Sequence, residues 1–289
     1  MDLFTAKQQE IYQRKAEVVR NFPALWSQMM TEWRQPGSED RAWLMYSANY
    51  LFRTKDIRWA MDPVRLKHRL PKAPDVDMVR DLCDLSFVLL THRHADHLDL
   101  SLLRQLKDFP ILWVVPAPLL DIVLADVEIP ADRLILPEPL QRIDIQGVYI
   151  TPFDGLHLER HPGAKTPSDV PATGYLVEFN GKRWLFPGDT RTYDASRLPS
   201  FGAVDGLFAH LWLGRGCAML NGPPLLDAFC CFCIDLQPKR IVLTHLEEFG
   251  RDADDYWDQG HAQRVRSCLR EKTRETEVSV ARLGESVLL

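Results

Sequence analysis

The sequence predicts a layered α/β domain with helices in front of it, on three observations. Short apolar runs of strand length alternate with helix-length segments from about residue 41 onward. Two β-rich runs, GYLVEF and KRWLFPGD, flank Asn180-Gly181, a dipeptide favoured in tight hairpin turns. Residues 1–34 repeat apolar side chains at intervals of three, four or seven, the mark of a helix with one buried face. Strands and helices mixed in this way argue for layers packed on one another.

The elements can be taken in order. Phe4, Ile11, Val18, Phe22, Leu25, Met29 and Trp33 form the apolar stripe of the N-terminal region. Pro23 is expected to interrupt it and start a second helix, because proline suits a first turn and not a helix interior. QPGSED (35–40) reads as a turn. RWAMDP (58–63) reads as a strand stopped by Pro63, and LSFVLL (85–90) as another. LDLSLLRQLKDF (98–109) reads as a helix, ILWVV (111–115) as a strand and PLLDIVLADV (118–127) as a helix. IDIQGVYITPF (143–153) is strand-like with a turn or bulge at Gly147. VDGLFAHLWL (204–213) and RIVLTH (240–245) are further strands, and 224–236 and 260–272 further helices. VSVARLGESVLL (278–289) is expected to close the chain as a pair of strands.

Composition narrows the class. The 289 residues carry a formal charge of −5, with 46% hydrophobic and 26% charged residues. That is an ordinary globular balance without the basic footprint of a nucleic-acid binder. No apolar run approaches the roughly 18–20 residues that span a bilayer. MDLFTAKQQE lacks the basic-then-apolar order of a signal peptide, so a cytoplasmic location is expected. The six cysteines show no disulfide framework and read as reduced thiols. AFCCFC (228–233) reads as a buried helix carrying small apolar thiols, ahead of a metal or redox site.

The chemistry gathers in THRHADHLD, Thr91–Asp99. It holds three of the chain's nine histidines and two aspartates, directly after an apolar strand. His92 and His94 are two apart. They would diverge on a helix, but on a loop leaving a strand they project to one side and can share an ion. Asp96 and His97 follow at once and can turn to a neighbouring position. Imidazole with carboxylate suits zinc, iron or manganese better than calcium or magnesium.

THRHADH resembles the HxHxDH signature of the metallo-β-lactamase superfamily. The rest of that family's pattern follows in order: His157 in TPFDGLHLE, Asp189 in FPGDT, His245 ending RIVLTH, and Asp62 ending WAMDP early in the chain. The resemblance covers residues 41–289 and implies a four-layered αββα fold. Residues 1–40 would be an N-terminal helical extension. It also implies two divalent ions, zinc or manganese with iron as the alternative. His92, His94 and His157 would hold one, Asp96, His97 and His245 the other, and Asp189 would bridge. Asp62 and Thr190 would orient ligands.

The function implied is hydrolysis by a metal-bound hydroxide of a lactone, ester or phosphodiester. Asp96 and His210, which ends the strand LFAH, are the candidate catalytic residues. The form DHLD is similar to the branch that includes L-ascorbate 6-phosphate lactonase. The expected partner is a small-molecule substrate, phosphorylated or otherwise anionic, with no nucleic acid and no membrane span; a homo-oligomer is compatible. Arg93, Arg160, Arg191, Arg215 and Tyr193 are candidate substrate contacts, and His161 a weaker one. His68 and His261 are expected to be structural or on the surface. The alternatives are an iron-dependent redox enzyme acting on oxygen or sulfur species, and a non-catalytic binding protein.

Overall fold

A computed structural model describes residues 2–158 and 169–289. The chain divides into two compact units. The first comprises residues 1–136, 248–256 and 282–289; the second comprises 137–247 and 257–281. Each is built on one mixed seven-stranded sheet.

In the first unit, helix α1 (Leu3–Arg34) is followed by strands β1 (Arg41–Leu44), β2 (Tyr50–Thr54) and β3 (Ile57–Met61). Short helices α2 (Leu66–Arg69) and α3 (Met78–Leu82) lead to β4 (Phe87–Leu89). Helix α4 (Leu100–Leu106), β5 (Leu112–Val114), α5 (Ala117–Asp126) and β6 (Leu134–Ile135) complete this stretch. The second unit holds β7 (Ile143–Ile145), β8 (Val148–Asp154), β9 (Thr173–Phe179), β10 (Lys182–Phe186) and β11 (Val204–His210). It continues with α6 (Leu226–Asp235), β12 (Pro238–Thr244), α7 (Gln259–Lys272) and β13 (Glu277–Val280). The last strand, β14 (Ser286–Leu288), returns to the first sheet.

The sheet orders are β14-β1-β2-β3-β4-β5-β6 and β13-β12-β11-β10-β9-β8-β7. In both, antiparallel neighbours give way to parallel ones, at β3–β4 in the first and at β10–β11 in the second. Parallel strands share a C-terminal end, which is where open α/β sheets place ligands. Asp62 follows β3, Thr91 and His92 follow β4, Asp189 follows β10, His210 ends β11 and His245 follows β12.

The first sheet is held by cross-strand aromatic pairs. Phe52 stands opposite Trp59, and Trp59 opposite Phe87. Their rings stack with centroids 3.7 and 5.2 Å apart. The second sheet buries Leu207, Ile241 and Leu243 with Phe229 and Cys233 of α6 and Val265 and Leu269 of α7. Cys230 and Cys233 are buried on α6, as the reading of AFCCFC expected, while Cys231 is half-buried.

The β9–β10 hairpin matches its turn chemistry. Asn180 and Gly181 both have positive φ, 51° and 75°, the left-handed pair that a type I′ turn needs. Two expectations are corrected. Residues 3–34 form one continuous helix with Pro23 inside it. Pro23 lies on the exposed side, while Ile11, Val18, Phe22, Trp26, Met29, Met30 and Trp33 are buried. Burial of that stripe on the first unit outweighs one missing hydrogen bond, and the Trp33 indole donates to the Phe52 carbonyl at 3.0 Å. The closing strands do not pair with each other. β13 lies beside β12, and β14 lies beside β1 in the other sheet. Among the described residues no helix is long and apolar enough to cross a membrane.

Candidate metal site

In the first unit the histidine motif is shaped from behind by the loop that follows β3. Asp62 has φ 46°, a left-handed conformation uncommon outside glycine. Its carboxylate accepts from the Thr91 amide at 2.8 Å and from the Thr91 hydroxyl, and lies 2.8 Å from His97 Nδ1. The buried Asn49 amide donates to the carbonyls of Asp62 and Asp96, at 2.7 and 2.8 Å. The amides of His97 and Leu98 both return to the His94 carbonyl, which folds the second half of the motif into a turn. The His92 ring then lies 4.9 Å from His94, edge to face, and 4.1 Å from His97. Donor atoms of Asp62, His92 and His97 come within 4.8 Å of one another. His92, Asp96 and His97 are buried and His94 is half-buried.

The motif's last residue has a separate task. Asp99 caps α4 by accepting from Leu102 N at 3.0 Å. It also takes Nε and Nη2 of Arg65 at 2.7 and 2.9 Å. The loop after β3 therefore grips the motif near both ends, through Asp62 and through Arg65.

The second unit centres on Asp189, whose side chain is 0% exposed. Its oxygens lie 3.5 Å from His157 Nε2, 2.9 Å from His210 Nδ1 and 3.4 Å from His245 Nε2. The His210 and His245 rings stack at 5.4 Å, because His210 stands opposite Thr244 in the β11–β12 register. His245 adopts φ 63°, which turns the chain out of the strand. The loop after β8 is pinned to the loop after β10 by the Arg191 amide, which donates to the Leu156 carbonyl at 2.8 Å. That bond brings His157 beside Asp189.

Burial sets the protonation tendencies. Desolvation pushes the Asp62 carboxyl above its ordinary value, against the hydrogen bonds of His97 and Thr91. Desolvation likewise lowers His157, against the pull of Asp189. A neutral imidazole is the form that ligates a metal. Buried imidazole and carboxylate donors, some already oriented by a second carboxylate, fit a transition-type divalent ion.

The other candidates divide. Arg191 is buried between Asp189 (Nη2, 3.2 Å) and Asp169 (Nε, 3.5 Å), over the Trp212 ring. Arg93 is exposed, and Arg215 reaches Asp169 from the surface at 3.4 Å. The Tyr193 hydroxyl donates to the Trp212 carbonyl, a packing role. The Thr190 hydroxyl donates to the Gly188 carbonyl at 3.4 Å and holds its own loop. His261 caps α7 with Asp258 and meets the Ala218 carbonyl, and His68 lies on the surface. Arg160 and His161 lie outside the described residues. The sequence reading missed Asn49, Arg65 and Asp169. Arg65 follows Asp62 by three residues, but nothing in either stretch announces its pairing with Asp99.

The sequence profile of the β-lactamase superfamily domain matches residues 60–246. No curated protein matches the chain. Solved structures share the fold at low identity. A metallo hydrolase from the archaeon Ignicoccus hospitalis is 15% identical, with TM-score 0.62 over 86% of this chain and 98% of its own. An isothiocyanate hydrolase from Delia radicum gut bacteria is 16% identical, with TM-score 0.58 over 86% and 98%. A diiron β-hydroxylase from Streptomyces venezuelae is 16% identical, with TM-score 0.58 over 88% of this chain and 54% of its own.

Proposed function

The chain belongs to the β-lactamase superfamily, and from that premise we propose that it is a metal-dependent hydrolase. The observation that carries the reading is Asp189, a fully buried carboxylate within 3.5 Å of three histidines. Arg191 offsets part of the cost of burying that carboxylate, and the three imidazoles turned toward it complete a donor set that suits a transition-type divalent ion. The proposed ligands are His92, His94 and His157 for one ion, Asp96, His97 and His245 for a second, and Asp189 for both. Zinc or manganese is the proposed metal. Such ions lower the pKa of a coordinated water toward neutrality and polarise the bond under attack.

The chain's own groups supply orientation and proton traffic. Asp62 takes the Nδ1 side of His97 and so leaves Nε2 for a ligand role. His210, fixed through Nδ1 by Asp189, is proposed to exchange protons through Nε2. Asp96 is the second proposed catalytic residue. The proposed substrate is a small phosphorylated or otherwise anionic lactone, ester or phosphodiester, in the lactonase-like branch that DHLD suggests. We further propose a cytoplasmic enzyme whose residues 1–40 extend a catalytic domain spanning 41–289.

Metal analysis of the purified protein, followed by a panel of lactones, phosphodiesters and thioesters, tests this reading. Zinc or manganese with turnover of one class is expected. Iron with oxygen consumption would replace it by a redox reading, which the same donor set accommodates.

A further inference from the structure

Each unit places a carboxylate behind one of its histidines. Behind His97 stands Asp62, 2.8 Å from Nδ1. Behind His157 stands Asp169, with Oδ1 3.4 Å from Nδ1, while His157 Nε2 faces Asp189 at 3.5 Å. The two ring nitrogens of His157 thus look at two different carboxylates. Asp169 is 7% exposed at its side chain and has φ 78°, so a non-glycine residue is held in the left-handed region. Such strain persists only where the surroundings impose it. The surroundings here are cationic: Arg191 Nε lies 3.5 Å and Arg215 Nη2 3.4 Å from Asp169 Oδ2. Arg191 also reaches Asp189 at 3.2 Å, so one guanidinium sets the spacing of both carboxylates around the histidine. Trp212 beneath that guanidinium, at 4.5 Å, keeps it in place.

We propose that Asp169 is a positioning residue for the metal site: it accepts a hydrogen bond from Nδ1–H of His157, fixes that tautomer and ring angle, and so presents Nε2 for coordination. This rests on the hydrolase reading only for its consequence in turnover. The ring orientation is a property of the protein itself. A ligating histidine usually donates its second ring N–H to a carboxylate or carbonyl, and loss of that partner typically costs 10–100-fold in metal affinity. Asp169 fills for His157 the role that Asp62 fills for His97.

Three variants and two readouts test the idea. Nitrogen-15 spectra of the histidine rings report the His157 tautomer without reference to activity. The wild type is expected to carry its proton on Nδ1. Asp169→Ala is expected to shift the population toward Nε2–H, and Asp169→Asn, whose amide oxygen still accepts, to retain most of Nδ1–H. Cobalt(II) titration, followed through its visible spectrum, should show roughly tenfold or greater weakening in Asp169→Ala and less in Asp169→Asn. Asp169→Glu should fall between them, because its longer arm misplaces the same acceptor. A His157 tautomer that is the same in all three variants and the wild type overturns the proposal. So does cobalt affinity that is unchanged in Asp169→Ala. If the wild type itself takes up no cobalt, the metal reading falls, and the tautomer measurement alone decides the role of Asp169. If Asp169→Ala does not fold, Asp169→Asn against Asp169→Glu carries the comparison.

Discussion

His97 Nδ1 lies 2.8 Å from Asp62 Oδ2, and the same carboxylate accepts the backbone amide of Thr91 at 2.8 Å. One buried side chain thereby sets both the start of the histidine motif and the ring at its far end. Asp62→Ala should leave the sheet folded but free the ring of His97. The expected outcome is a 10–100-fold loss of metal affinity, read by metal-competition titration. Asp62→Asn should lose less, because one oxygen still accepts from Thr91 N or from His97. Equal affinity in wild type and Asp62→Ala would show that this carboxylate has no part in orienting a ligand.

Asp189→Ala removes the carboxylate shared by His157, His210 and His245. Turnover on any substrate found should be abolished and bound metal reduced, measured by elemental analysis alongside the rate. The variant also leaves Arg191 with Asp169 as its one remaining carboxylate partner among those described. Full activity in Asp189→Ala would refute a dinuclear site.

The Arg65–Asp99 pair predicts a stability change with a defined pH dependence. Asp99 is 0% exposed at its side chain and Arg65 28%. Burial alone would push the Asp99 carboxyl up. The hydrogen bonds from Arg65 and Leu102 N outweigh it, so the folded value lies below the usual one. A depressed carboxylate adds stability above its unfolded pKa, about 3.9, and loses it as pH falls through the folded value. Arg65→Ala should cost about 3 kcal/mol at neutral pH in urea unfolding, at the low end for a broken buried pair because Arg65 is partly exposed. Its stability should also fall less steeply than the wild type's below about pH 4. A variant with the wild-type acid profile would count against the pairing.

Gly206 stands opposite Trp184 where β11 meets β10. A Cβ added there would fall 2.1 Å from the indole ring. Gly206→Ala should therefore destabilise by about 1–3 kcal/mol through overpacking, seen as a lower denaturation midpoint with an unchanged slope. Gly147→Ala meets nothing within 4 Å and tests backbone strain instead, at φ 84°. It should cost about 1 kcal/mol.

What the amino-acid order determined by itself was local. Alternation, turn dipeptides and apolar runs placed α1 and most elements from β3 onward, though not β1, β2, β6, α2 or α3, and Asn180-Gly181 specified its hairpin, because these depend on neighbours a few residues apart. THRHADHLD, with His157, Asp189 and His245 later in the chain, pointed to metal chemistry through residue type and family resemblance, since imidazole and carboxylate have few other reasons to crowd a strand end. The tertiary structure decided whatever joins distant segments. It carried α1 straight through Pro23, because a buried aromatic stripe outweighs one lost hydrogen bond. It sent β13 and β14 to different sheets, because an extended segment's pattern does not name its partner strand. It set Asp62 behind His97, Arg65 on Asp99, and Asp169 behind His157. Those pairings are matters of distance between chain segments, and sequence spacing carries no distance once the chain has turned.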